Sequence, residues 1–372
     1  MTAGLLGRTL GHSLSPQIHR FFGDCDYRLF EREPEEVAAF VRTNELDFLN
    51  VTIPYKVDVA RLCDELTPMA AKLGNVNFVT RDGAGRLLGD NTDAFGVERL
   101  LDSVGAQVEG RACAILGAGG AAMTVKQVLE QRHAARVTLI RRGESPARDD
   151  SLIVNATPVG MFPDIDGTRI DIREFPSCET VVDLVYNPSP TRLVREARAL
   201  GKRAADGLVM LIAQAYRAWL LVAPDRLPRN VFLYGPPASG KSTWAARIAA
   251  ATGLKLVDLD GEIVRREGRT IPEIFATEGE AVFRAIERRE LERVSEGSGQ
   301  VVALGGGALL DGQSRRRAES AGRVVLLDCP VETLKQRLTG PDRPLSSDGA
   351  KLEALLARRR EHYASFQVHV EF

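Results

Sequence analysis

The sequence predicts an α/β protein with parallel sheets, laid out in two halves, the second a P-loop domain. Three observations predict it. Strand-like apolar runs alternate with helical patterns along all 372 residues, the order that βα units leave in a sequence. Two glycine loops of different design each follow an apolar strand and open a helix: Ile115-Leu116-Gly117-Ala118-Gly119-Gly120-Ala121-Ala122 and Gly235-Pro236-Pro237-Ala238-Ser239-Gly240-Lys241-Ser242-Thr243. Two prolines within 223–229 break the pattern, which restarts at Val231-Phe232-Leu233-Tyr234.

The elements follow in order. Short apolar runs at 47–53, 111–116, 136–140, 151–155 and 180–185 end in turn residues and read as strands. The stretches 33–43, 121–132 and 191–200 carry helical periodicity. Segment 208–222 is apolar on nearly every side and reads as a buried helix. Past the joint at 223–229, strands are expected at 231–234, 255–259, 300–304, 323–328 and 367–372. A joint of that length is expected to hold the two halves close together.

Composition excludes several classes. Apolar residues make up 44% and charged residues 27%, with a formal net charge of −1, so neither nucleic acid nor an anionic membrane is called for. The runs Arg315-Arg316-Arg317 and Arg358-Arg359-Arg360 read as solvated helix faces. Five scattered cysteines without a CxxC pair argue for reduced thiols. No signal-peptide pattern opens the chain and no run of about 18 apolar residues exists, so a cytoplasmic protein is expected. Oligomeric state is open.

Each loop implies its own chemistry. The second matches G-x-x-x-x-G-K-[ST] at every fixed position. In such a loop backbone N–H groups wrap phosphates, Lys241 adds a positive charge and Ser242 offers a hydroxyl to Mg²⁺; Gly235, Ser239, Gly240 and Thr243 complete it. The next strand ends Leu256-Val257-Asp258-Leu259-Asp260. Its carboxylates, at i and i+2, suit one partner for Mg²⁺ and one base for an attacking hydroxyl. The first loop, through Gly117, Ala118, Gly119, Gly120 and Ala121, would let backbone approach a pyrophosphate at a helix N-terminus. The strand after it ends in Arg141-Arg142, where arginines suit a ribose 2′-phosphate and an acid would suit NAD. NADP(H) is the cofactor implied for the first loop; the second loop alone does not separate a kinase from a GTPase or an ATPase.

Residues about 229–372 resemble the shikimate kinases. Asp258-Leu259-Asp260, Gly279-Glu280-Ala281-Val282-Phe283-Arg284-Ala285-Ile286-Glu287, Gly305-Gly306-Gly307, Arg343-Pro344-Leu345 and Arg359-x-x-x-Tyr363 carry the resemblance by order and spacing. It implies that Asp260 contacts the shikimate hydroxyls and acts as base, Arg284 and Arg359 clamp the carboxylate, and Gly306 and Gly307 give close backbone approach. Arg343 would be the lid arginine on the transferring phosphate, Arg337 would lie against adenine, and Asp258 and Ser242 would serve Mg²⁺. The family's usual final helix is not found after Gln367-Val368-His369-Val370-Glu371-Phe372, which puts the adenine site in question.

Residues 1–222 resemble shikimate dehydrogenase. His12-Ser13-Leu14-Ser15-Pro16, Asn50-Val51-Thr52-Ile53-Pro54-Tyr55-Lys56, Asp90-Asn91-Thr92-Asp93, Asn155-Ala156-Thr157-Pro158-Val159-Gly160-Met161 and Gly207-Leu208-Val209-Met210-Leu211-x-x-Gln214 carry it. It implies Lys56 and Asp93 as the proton-transfer pair, Ser13 and Ser15 on the substrate carboxylate, and Thr52, Asn77, Tyr186 and Gln214 lining the substrate, with Met210 on the cofactor. Taken bare, Ser13 and Ser15 read as helix N-caps. Four departures stand out: Asn75 and Phe78 in Gly74-Asn75-Val76-Asn77-Phe78, Ala94 after Asp93, a stretch from Arg142 to Asn155 too short for the usual helix, and Arg141 where the family usually has Asn.

The resemblances imply a substrate-binding domain over 1–95 completed by 208–222, a Rossmann-type NADP domain over 96–207, a linker at 223–229 and a P-loop kinase domain over 230–372. They imply reduction of 3-dehydroshikimate with NADPH, followed by phosphorylation of shikimate with ATP and Mg²⁺. Two alternatives remain open, a non-catalytic sensor of pathway ligands and the same folds acting on quinate-like acids.

Overall fold

The computed structural model describes residues 1–338 and 349–371. The chain forms two compact units, one built on Met1–Ile18 and Asp24–Pro224, the other on Asp225–Ala249 and the described residues from Gly253 on.

The first unit holds two sheets. Strands β1 (Thr2–Gly7), β2 (Asp26–Glu31), β3 (Phe48–Val51), β4 (Glu65–Leu66), β5 (Phe78–Arg81) and β6 (Leu87–Asp90) lie in the order β2-β1-β3-β5-β6-β4. β1 runs parallel to β2 and β3, whereas β5 is antiparallel to both β3 and β6. The second sheet is wholly parallel: β7 (Ala112–Leu116), β8 (Arg136–Ile140), β9 (Leu152–Asn155), β10 (Thr180–Asp183) and β11 (Arg203–Ala205), ordered β11-β10-β9-β7-β8. Strand order reverses beside β7, so a ligand crevice opens at its carboxyl end. The first glycine loop sits there.

Helices Asp93–Ser103 and Leu208–Val222 pack along each other. The second buries Leu208, Ile212, Ala215 and Trp219, a stripe at helical spacing. Two glycines permit the fit. A Cβ on Gly96 would stand 2.8 Å from Met210 Cγ, and one on Gly207 would stand 2.1 Å from the Leu184 carbonyl oxygen. Between β8 and β9 the chain makes turns and no helix, as its shortness predicts. After β9, Ile170, Ile172, Phe175 and Cys178 pack with Ala114, Leu116, Ile140 and Ile153 of the sheet.

The second unit has one parallel sheet of β12 (Asn230–Tyr234), β13 (Lys255–Asp258), β14 (Gln300–Ala303), β15 (Arg323–Asp328) and β16 (His369–Glu371), ordered β13-β14-β12-β15-β16. β12 is buried end to end, as a central parallel strand between covering layers must be. Phe232, Tyr234, Val257, Ile286, Val302 and Leu326 belong to its core. The helix Ile271–Glu296 starts in a capping box between Thr270 and Glu273 and breaks at Gly279, with φ 81° and ψ 176°. Only glycine takes that backbone at low cost. The break sets the direction of the segment that carries Arg284.

Candidate active sites

In the first unit, the turn after β3 makes Lys56 the first residue of the helix Lys56–Leu62, and Asp93 opens the helix Asp93–Ser103 after β6. Lys56 Nζ lies 2.5 Å from Asp93 Oδ2, with both side chains largely shielded. Asp93 Oδ1 accepts from Asn77 Nδ2 at 2.8 Å. Asn77 Nδ2 also reaches Thr92 Oγ1, and its Oδ1 accepts the Thr92 N–H at 2.7 Å. Asn77 is 3% exposed. Its side chain is thus engaged in holding the start of the Asp93 helix, a task the sequence did not reveal.

A polar chain continues from there. Asn50 Nδ2 donates to the Asn77 carbonyl at 3.4 Å, and Tyr27 donates to Asn50 Oδ1 at 2.9 Å. Burial pushes the Tyr27 hydroxyl well above its ordinary pKa, partly offset by a hydrogen bond with Ser15. Ser13 Oγ donates to Ser15 Oγ at 3.2 Å and accepts the Ser15 N–H at 3.3 Å. Ser15 is the first residue of the short helix Ser15–His19 and the Leu14 carbonyl accepts its first intrahelical bond, so Leu14 is the N-cap and the N-cap reading suits neither serine. Sequence reasoning missed Tyr27, which lies on β2 in no recognised motif.

Other expected residues have definite places. Thr52 donates its N–H to Leu6 and its methyl lies where a Gly7 Cβ would fall. Gln214 is buried and Nε2 donates to the Leu211 carbonyl at 2.8 Å. Tyr186 is half-buried, which raises its hydroxyl pKa, and Met210 packs on Gly96. Asn75, a departure from the family, accepts from Asn91 Nδ2 at 2.7 Å, while Asn91 Oδ1 accepts the Ala94 N–H. Phe78, another departure, stacks 5.6 Å from Phe48 in the core.

The first glycine loop fits a pyrophosphate. Gly117 has φ 115°, and a Cβ on it would meet Thr157 and the Ala156 carbonyl. Gly119 and Gly120 face open space at the start of the helix Gly120–Gln131, where backbone N–H groups are free of intrahelical partners. Ala118 and Ala121 flank them. Arg141 and Arg142 are exposed at the end of β8.

In the second unit, the loop from Gly235 to Gly240 joins β12 to the helix Lys241–Thr252. Gly235, Ala238 and Gly240 have φ of 139°, 62° and 93°. A Cβ on Gly235 would fall 2.7 Å from the Leu327 carbonyl. Lys241 Nζ donates to the carbonyls of Gly235 and Pro236 at 3.0 and 2.7 Å. Ser239 Oγ is buried and lacks a partner among the described residues. An orphaned hydroxyl inside such a loop fits a phosphate oxygen. Ser242 Oγ donates to Asp258 Oδ2 at 2.8 Å, so the two expected Mg²⁺ residues are adjacent, and Thr243 is exposed beside them. Arg337 Nη1 reaches the Ala238 carbonyl at 3.3 Å.

The acceptor side gathers on Gly305-Gly306-Gly307. One Cβ built on Gly305 would lie 3.0 Å from Asp260 Oδ1 and 2.7 Å from Glu287 Oε1. Burial first, then neighbouring Asp258, raises the Asp260 pKa, opposed by Lys241 and Arg284. Glu287 is raised by burial and held down in part by Arg284, whose Nη1 lies 2.6 Å from Glu287 Oε2. The motif containing Glu287 is legible in the sequence, but its closeness to Asp260 is not. Arg359, 9% exposed, donates to the Gly306 carbonyl at 2.8 Å, joined by the hydroxyls of Tyr363 and Tyr234. Gly307 is small for a reason the sequence did not give: a Cβ there would stand 2.8 Å from the Arg284 guanidinium. Arg343 lies outside the described residues.

Known proteins show the same division. Residues 237–371 match the model of the shikimate kinase family, and 5–79 match that of the shikimate dehydrogenase substrate binding domain. The NADP(+) shikimate dehydrogenase of Symbiobacterium thermophilum is 35% identical over 58% of this chain and 86% of its own length. Among solved structures, shikimate 5-dehydrogenase from Thermus thermophilus, in complex with NADP(H) and shikimate, is 31% identical with a TM-score of 0.55, over 60% of this chain and 94% of that one. A chorismate mutase/shikimate 5-dehydrogenase fusion from Clostridium acetobutylicum is 31% identical with a TM-score of 0.56, over 60% and 91%. Quinate dehydrogenase from Corynebacterium glutamicum, in complex with NAD, is 27% identical with a TM-score of 0.55, over 61% and 95%. The chain belongs to the shikimate dehydrogenase family and carries a shikimate kinase domain after it, an NADP-dependent oxidoreductase and a phosphotransferase in one polypeptide.

Proposed function

We propose that this protein reduces 3-dehydroshikimate to shikimate with NADPH and then phosphorylates shikimate at its 3-hydroxyl with ATP and Mg²⁺. The reading rests above all on the Lys56–Asp93 pair, which sits 2.5 Å apart from positions 37 residues apart in sequence. Bound NADPH supplies a hydride to the ketone carbon. Lys56, paired with Asp93, donates the proton to the ketone oxygen, and Asn77 keeps Asp93 in place. Ser13 and Ser15 hold the carboxylate; Thr52, Tyr186 and Gln214 line the ring; the 117–121 turn, Arg141, Arg142 and Met210 receive the cofactor.

In the second unit ATP with Mg²⁺ supplies the phosphoryl group. Asp260 takes the proton from the 3-hydroxyl, Arg284 and Arg359 fix the carboxylate, and Gly306 and Gly307 shape the acceptor pocket. The 235–243 loop with Lys241 holds phosphates, Ser242 and Asp258 serve the metal, Arg337 borders the base, and Arg343 completes the lid. The domains are those of the sequence reading, 1–95 with 208–222, 96–207 and 230–372, joined by 223–229. No helix among the described residues is long and apolar enough to cross a membrane, and we place the reactions in the cytosol.

A coupled assay tests this. Purified chain should oxidise NADPH with 3-dehydroshikimate and, given ATP and Mg²⁺, release shikimate 3-phosphate. Lys56→Ala should silence only the first step and Lys241→Ala only the second. Loss of neither step in its own variant refutes the assignments. The quinate dehydrogenase likeness favours a second reading, a quinate-like substrate; kcat/KM higher for quinate than for shikimate would establish it.

A further inference from the structure

The turns after β8 leave a question about how a cofactor's adenosine end is held. Arg141 and Arg142 are both exposed, and Glu144 brings a carboxylate that accepts the Arg141 N–H at 2.6 Å. A third arginine arrives from a distant segment. Arg169 Nη2 donates to the Arg141 carbonyl at 2.9 Å. Its Nε is buried and has no partner among the described residues. The next residue, Ile170, is packed in the core with Ile140, so Arg169 is anchored to the end of β8 from both sides.

Resting on the dehydrogenase reading above, we infer that Arg169 is a further residue of the ribose 2′-phosphate site and sets the preference for NADPH over NADH. The end of the second strand is where α/β dinucleotide sites read the 2′ substituent. A buried guanidinium N–H left unpaired is costly, and a phosphomonoester offers the acceptor oxygens that its planar fork matches. A ribose hydroxyl does not need a second or third cation. Through the Arg141 carbonyl, Arg169 touches the start of the stretch between β8 and β9, which has no helix.

The intact chain, without cofactor, can be titrated calorimetrically with adenosine 2′,5′-bisphosphate and with AMP. Wild type should bind the bisphosphate more tightly. Arg169→Met should weaken the bisphosphate about tenfold, in keeping with loss of one charge-assisted contact, and leave AMP unchanged. The ratio of kcat/KM for NADPH to that for NADH should fall by a similar factor. Arg169→Lys keeps the charge and should recover part of both, which separates charge from simple loss of packing. Equal weakening of both nucleotides, or of neither, would reduce Arg169 to an anchor of the turn and overturn the inference. If wild type reduces 3-dehydroshikimate yet does not distinguish bisphosphate from AMP, the inference fails while the dehydrogenase reading stands. If it oxidises neither NADPH nor NADH, both fail.

Discussion

Asn77 donates through Nδ2 to Asp93 Oδ1 at 2.8 Å, in a position where 3% of Asn77 remains exposed. The bond makes Asn77 the brace of the carboxylate that holds Lys56. Asn77→Ala should lower the NADPH oxidation rate by about two orders of magnitude, the low end of what general acid–base catalysis contributes. It should also cost about 1–3 kcal/mol of stability, because the Thr92 N–H and an Asp93 oxygen lose a buried partner. Initial rates and urea unfolding check the two effects. Unchanged rates would remove the brace role.

Asp260 has a raised pKa, from burial and then from the charge of Asp258. A base must be ionised to act, so the acid limb of the phosphorylation pH profile should lie above the ordinary carboxylate range. Asp258→Asn removes a negative neighbour and eases ionisation of Asp260, so the limb should move to lower pH even as the maximal rate falls. The profile of kcat/KM for shikimate at saturating Mg²⁺ gives the answer. A limb that stays in place would show that Asp258 does not act on Asp260 through charge.

Asp183 is 1% exposed and its carboxyl is pushed up by burial to about 6, although Asn155, Thr191 and the Val185 N–H all donate to it. The folded pKa lies above the unfolded value of 3.8. The group's contribution is therefore fully present below 3.8 and is lost as pH rises through 6. That window should cost the first unit about 3 kcal/mol, at 1.36 kcal/mol per pKa unit. Asp183→Asn should flatten that part of the stability curve. Urea midpoints at several pH values across the window, for both proteins, test it.

Gly207 stands where a Cβ would be 2.1 Å from the Leu184 carbonyl oxygen. Gly207→Ala should cost about 1–3 kcal/mol, the usual range for overpacking, and shift the helix Leu208–Val222 that carries Met210 and Gln214. A rise in KM for 3-dehydroshikimate should accompany the lower urea midpoint of the first unit. A normal KM would mean the helix keeps its place.

Much of the fold was legible because apolar periodicity reports burial locally. The strands expected at 136–140 and 323–328 and the helix at 208–222 have those bounds in the structure. Among the described residues, the strand expected at 367–372 begins only at His369, since its pairing with β15 starts at Leu326. The sites were legible where a motif is contiguous, as in the 235–243 loop. They were not where partners meet across sheets: Tyr27 reaches Asn50, Glu287 meets Asp260 over Gly305, and Arg169 reaches Arg141.

By itself the sequence determined two nucleotide loops, the parallel α/β class and the residue types each reaction needs, because these are matters of local spacing and chemistry. Only the tertiary structure decided what those residues do to one another. It turned Asn77 into a brace, made Gly307 the space for Arg284, and set a buried acid beside Asp260. The physical reason is that hydrogen bonds and desolvation depend on distances of a few ångströms between strands and helices far apart in the chain, and no periodicity encodes those.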